Sequence, residues 1–255
     1  MNKIQISVSV NTKVVVKILG IIIASIIILG VLALCIRTFT NYKSALGFVP
    51  LFDMDKENSI PTYFSSLNLL ISSFLLFSIF LHKDALKDKY RRHWLFLSLI
   101  FFFLSIDETA SIHEYYSVLI KNLMNFSGPG NYSFAVLGGI CVLIFLYFFS
   151  TFILSLPAKT RSKFVLAGSL FVSGALGSEA IGGYIIVGDL SNSLNSLFYG
   201  VFVIIEESLE MVGVLFFIRA ILLYIKESLI QETSTVFEGD SIEVSSTKER
   251  LLGIL

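Results

Sequence analysis

The run "ILGIIIASIIILGVLALC", Ile18 to Cys35, carries no charged side chain over 18 residues. A helix of that length reaches across most of the roughly 30 Å hydrocarbon core of a bilayer, and a helix that is apolar all round belongs in lipid or in a large core. Five more runs of this kind follow: about Tyr63–Leu81, Trp94–Ser111 with a helical extension, Tyr132–Leu156 ended by Pro157, Phe164–Val187, and Leu197–Ile218 continuing to Tyr224. In a chain of 255 residues that is 55% hydrophobic, six spans leave little soluble mass. The sequence predicts an all-α polytopic membrane helix bundle, with a six-span transmembrane domain over residues 1–226 and a mobile tail over 227–255. No small-residue cleavage site follows the first run, which therefore reads as an uncleaved signal anchor.

Lys and Arg set the orientation, because cytoplasmic connections retain them. Lys3, Lys13 and Lys17, then Lys83, Lys87, Lys89, Arg91 and Arg92, then Lys159, Arg161 and Lys163, and finally Arg219, Lys226, Lys248 and Arg250 fall on one side. Only Lys43, Lys56 and Lys121 fall on the other, with Arg37 at a boundary, so both termini are expected in the cytoplasm. Topology accounts for the basic residues, and nothing points to nucleic acid. Cys35 and Cys141 lie inside predicted spans as packing residues, which supports neither a disulfide framework nor a cysteine metal site. His82 and His93 flank a basic connection and read as surface residues, and Asn68 and Ser72 read as helix–helix contacts.

Charges inside the spans carry the functional signal. "FLSIDETASIHEYY" ends the third run, and on one continuous helix Asp107, Ser111 and Glu114 share a narrow arc flanked by Glu108 and His113. "VIIEESLEMVG" in the sixth run places Glu206, Glu207 and Glu210 on one face. The fifth run sets Glu179 among Gly174, Ser178 and Gly182, small residues that let helices approach closely, so that helix is expected to be central. At 1.5 Å per residue Asp107 and Glu179 lie roughly 20–22 Å from the cytoplasmic ends of their spans and Glu206 to Glu210 roughly 14–20 Å from the outer end of theirs, so the acids overlap in the middle to outer half of the bilayer. Each costs about 2.5–3.5 kcal/mol at a helix centre, and no Lys or Arg is predicted at that depth, so protons, water or a metal must compensate. One reading is a site for one or two divalent ions (Zn, Fe or Mn) held by Asp107, His113, Glu179, Glu206 and Glu210, with Glu108 and Glu207 moving protons as catalytic groups and Glu114 and Ser111 behind them. Neither Glu-x-x-His nor His-Glu-x-x-His occurs, and His113 and Glu114 could equally cap the third span.

The first outer connection, "GFVPLFDMDKENSIPTYFSSLN", carries Asp53, Asp55 and Glu57 at alternate positions, a spacing that can grip a hard cation, although an EF-hand is excluded because its Gly and closing Glu are missing. A solvated turn is the plainer reading, and Pro61 is expected to open the second helix. "LFDMDKENSIPTYFSSL", "LSIDETASIHE" and "EESLEMVGVLFF" resemble recurring segments of a group of uncharacterised bacterial multi-pass membrane proteins. The resemblance implies a bacterial cytoplasmic membrane and makes Asp53, Asp55 and Glu57 candidates for a lid or ion entrance over the acidic helices; it carries no activity.

Three functions compete on these residues. The first is a membrane-embedded metalloenzyme acting on a lipid or lipophilic substrate. The second is a proton- or cation-coupled transporter or channel, which needs no metal. A binding subunit whose acids receive a partner's basic helix is a third.

Overall fold

Apolar segments in lipid must satisfy their own main-chain groups, and helices do so within one segment. The computed structural model describes residues 11–40, 42, 44–113, 115–116, 119, 132–178 and 193–229, and every regular element among them is helical. The helices are α1 (Thr12–Phe39), α2 (Phe48–Phe52), α3 (Ile60–Ala85), α4 (Arg91–Ala110), α5 (Tyr132–Ser155), α6 (Ala158–Val172) and α7 (Ser193–Tyr224). A π-helical turn, Ser173–Ser178, prolongs α6. Among the described residues α1, α3, α4 and the Leu137–Ser155 part of α5 are long and apolar enough to cross a membrane. The fifth predicted run is described only as far as Ser178, and Glu179 and nearly all of the predicted tail lie outside the described residues.

Helix ends follow local chemistry. Asn11 caps α1 by accepting from the N–H groups of Lys13 and Val14, and Ser59 caps α3 with Pro61 in its first turn. The α3–α4 connection is a tight hydrogen-bonded turn in which Lys87 is left-handed (φ 54°).

Serines hold α3 and α4 together as an antiparallel hairpin. Ser66 donates to the Ser105 carbonyl (2.7 Å) and Ser105 to the Ser66 carbonyl (2.9 Å); seven residues further along, Ser73 and Ser98 repeat the exchange at 2.8 and 2.9 Å. Thr109 adds a bond to the Ser66 hydroxyl (2.8 Å). Small polar side chains permit the close approach, and each reciprocal rung leaves no hydroxyl unsatisfied in an apolar layer. Asn68 and Ser72, also buried, bond back to carbonyls of their own helix at Phe64 and Asn68.

α7 is the central helix, packing on α1, α3 and α6. A Cβ on Gly213 would stand 2.8 Å from the Phe171 nitrogen, and one on Gly174 would stand 2.8 Å from the Glu206 carbonyl oxygen. Backbone therefore lies on backbone where α6 crosses α7, as the small residues of the fifth run imply. At the opposite end from the Ser59 cap, the buried Trp94 stacks on Tyr224 (5.0 Å) and meets Phe152 edge-on (4.9 Å), so that α4, α5 and α7 join around one aromatic cluster. His93, expected at the surface, is instead half-buried and stacked on Phe152 at 5.4 Å; the ring's flat apolar faces suit the aromatic cluster better than water.

Candidate functional site

The serine ladder fixes the register that brings the end of α4 beside the start of α3. There α4 stops: Ala110 is its last residue and Ser111 turns left-handed (φ 52°, ψ 37°). The helical extension expected through Glu114 is not continuous with α4, because the backbone turns at Ser111. Asp107 drives the break. Its Oδ1 accepts the His113 backbone N–H at 2.8 Å, and its Oδ2 lies 3.1 Å from His113 Nδ1, so six residues close into a loop that competes with helical hydrogen bonding.

Glu57, from the outer connection, approaches the other ring nitrogen, with Oε1 3.7 Å from His113 Nε2. His113 lies beyond the end of α4. Burial opposes a charge on its ring, but the hydrogen bond and the charge of Asp107, aided by Glu57 and Glu108, outweigh it and raise its pKa from 6.5 to about 9. The imidazole is a cation at neutral pH, clasped between two carboxylates.

Asp53 and Asp55 take a different partner. Arg37, from the last turn of α1, donates to Asp53 Oδ2 at 2.7 Å and lies 3.9 Å from Asp55 Oδ2. Tyr199 of α7 donates its hydroxyl to Asp55 Oδ1 at 2.8 Å. Asp53 is only 7% exposed, so its carboxylate is held by a charge rather than by water. The connection is thereby strapped to α1 and α7. The cavity beneath it, lined by Arg37, Asp53, Asp55 and Gly200 among others, measures only about 10 Å³, too little for more than one water. Arg37, a boundary charge in the sequence, is the charge that balances Asp53 and Asp55.

Behind the strap stands the acidic face of α7. Glu206, Glu207 and Glu210 are half-buried, as are Asp107 and Glu108. The charges acting most strongly on Glu207 are those of Glu108, Glu206, Glu57 and Asp55, and on Glu210 those of Glu207, Glu108, Glu206 and Asp107. Acids from the outer connection, α4 and α7 thus share one electrostatic neighbourhood. Gly174 lets the π-helical turn of α6 lie against it, since a Cβ there would meet Glu210 Cγ at 2.9 Å. Ser208, next to Glu207, buries a hydroxyl that has no hydrogen-bond partner among the described residues.

The metal site expected of Asp107, His113, Glu179, Glu206 and Glu210 falls partly outside the described residues, because Glu179 is not among them. Among the described residues no three His, Cys, Asp or Glu side chains gather closely enough to hold a metal ion. His113 faces a carboxylate with each ring nitrogen, and Asp53 and Asp55 face Arg37, so these donors are spent on one another. Glu114 and Glu179 lie outside the described residues.

Residues 19–225 match the family described as a domain of unknown function, DUF8692. The chain belongs to that family. The match covers every described element of the site, from Arg37 to Glu210, so the site lies within the DUF8692 domain. No curated protein and no solved structure matches the chain.

Proposed function

We propose that this DUF8692 protein is an integral membrane protein of six spans, with its basic connections and both termini in a bacterial cytoplasm, and that its acidic cluster passes protons or cations as part of a coupled transporter or channel. One observation carries the reading: Glu57, His113, Asp107, Glu108, Glu207 and Glu210 form a succession of titratable groups that starts in the outer connection and continues onto α7 in the bundle, and the strongest charges acting on Glu207 and Glu210 are other acids. Such a series can hand a proton from group to group, or hold a desolvated cation that supplies the missing positive charge. α7 has 32 residues, enough to cross a bilayer despite its acids, and α6 with its π turn extends the fifth run toward Glu179, which supports six spans. Membrane lipids are its surroundings, and no nucleic acid is involved.

The test is flux. Liposomes carrying the purified chain, challenged with a pH gradient and then with cation gradients, should show transport that Glu207→Gln and Glu210→Gln abolish. Absence of flux under every gradient, combined with stoichiometric bound metal, would move the chain to the alternative of a metalloenzyme acting on a lipophilic substrate.

A further inference from the structure

The end of the α3–α4 hairpin remote from the acids carries a second charged feature. Lys87, Asp88, Lys89, Arg91 and Arg92 line a shallow cleft of about 320 Å³, within the range of small-molecule sites. Its acids are committed. Asp88 accepts the Tyr90 backbone N–H at 2.7 Å and lies 3.8 Å from the buried Lys83, while Asp84 lies 3.2 Å from Arg91 Nε. Lys87, Lys89 and Arg92 are exposed and make no ion pair among the described residues; Lys89 rests only over the Tyr90 ring at 5.2 Å. The turn that presents them is ordered by main-chain bonds from Lys87 to Asp84 (3.0 Å) and from Asp88 to Lys83 (2.9 Å), so little further entropy is lost when a ligand arrives. Leu81 (54%) and Leu86 (45%), which precede these residues in the chain, are exposed as well.

We propose that this cleft binds the phosphate of an anionic phospholipid headgroup, with Lys87, Lys89 and Arg92 as its ligands. Three uncommitted cations around one concavity select a phosphate anion, and the place of the cleft at the turn joining two membrane-length helices selects a lipid over a soluble phosphate. The proposal is independent of what the acidic cluster conducts.

Detergent-purified full chain is titrated with short-chain phosphatidylglycerol, phosphatidylcholine and glycerol 1-phosphate, with retained ligand read by native mass spectrometry. Phosphatidylglycerol should bind preferentially. The triple change Lys87→Gln, Lys89→Gln, Arg92→Gln should weaken it roughly 100-fold, at about 1 kcal/mol per basic side chain. The same number of charges removed at Lys159, Arg161 and Lys163 should leave it little changed. Lys87, Lys89 and Arg92 are exposed, and unchanged fluorescence of the sole tryptophan, the buried Trp94, checks that the fold persists in both triple variants. Equal losses in the two triple variants, equal binding of phosphatidylcholine, or glycerol 1-phosphate binding as tightly as the lipid would each overturn the proposal.

Discussion

Gly174→Ala tests how the acidic face of α7 is held. The added Cβ would meet the Glu206 carbonyl oxygen at 2.8 Å, Glu210 Cγ at 2.9 Å and Leu209 Cβ at 3.1 Å. Ordinary contact begins near 3.4 Å, so the nearest approach is too short by about 0.6 Å. The obstructing oxygen belongs to a helix backbone and cannot rotate away, so α6 must shift bodily, at a cost of about 1–3 kcal/mol. Gly177 provides the matched control, because it lies in the same π-helical turn and a Cβ there meets nothing within 4 Å. Any backbone gain on replacing glycine by alanine is shared by both variants, so their difference isolates the clash. Thermal unfolding in detergent should place the Gly174→Ala midpoint below that of Gly177→Ala by about 2–10 °C, on the usual scaling for a chain of this size. Equal midpoints would refute the backbone-on-backbone contact, and with it the account of how α6 closes on Glu206 and Glu210.

Two further outcomes follow from the rim of the site. His113 has a folded-state pKa of about 9 against 6.5 unfolded, so its stabilisation is complete below about pH 6.5 and is lost as pH rises through 9. In Asp107→Asn the opposing effect of burial prevails, and NMR titration of labelled histidine should find the ring falling toward or below 6.5; a wild-type value near 6.5, unmoved by the substitution, contradicts the clasp. Arg37→Ala leaves the buried Asp53 carboxylate without its cation; the partial exposure of Arg37 (27%) trims the usual penalty to about 1–3 kcal/mol, measurable by chemical denaturation. Adding Asp53→Asn should recover part of the loss, and a stable single variant would show that the strap does not bear on folding.

The positions of the helices were legible because the apolar runs reach bilayer length: Ile18–Cys35 lies inside α1, Tyr63–Leu81 inside α3, and Tyr132–Leu156 matches α5 to within a residue. The acids of α4 and α7 were legible as well, since a carboxylate in such a run is conspicuous. Three things escaped. Helical periodicity carried the third span past Ser111, but a carboxylate four residues earlier captured the His113 N–H and turned the chain, a local competition that periodicity does not register. Arg37 looked like a boundary charge because its backbone sits at one; its long side chain reaches the outer connection, sixteen residues on, and pairs with Asp53. Among the serines of the second and third runs only Ser72 reads in the sequence as a helix–helix contact, and only the juxtaposed helices reveal that Ser66, Ser73, Ser98 and Ser105 pair reciprocally.

That pairing has a mechanical consequence. Because both rungs trade hydroxyl for carbonyl in the same register, a slip of one residue between α3 and α4 would strand four hydroxyls in an apolar layer at once. The hairpin cannot telescope; it can only tilt as a single rod. A displacement of Arg92 at its basic tip would therefore be carried to Asp107 at the other extremity, about 22 Å away along α4.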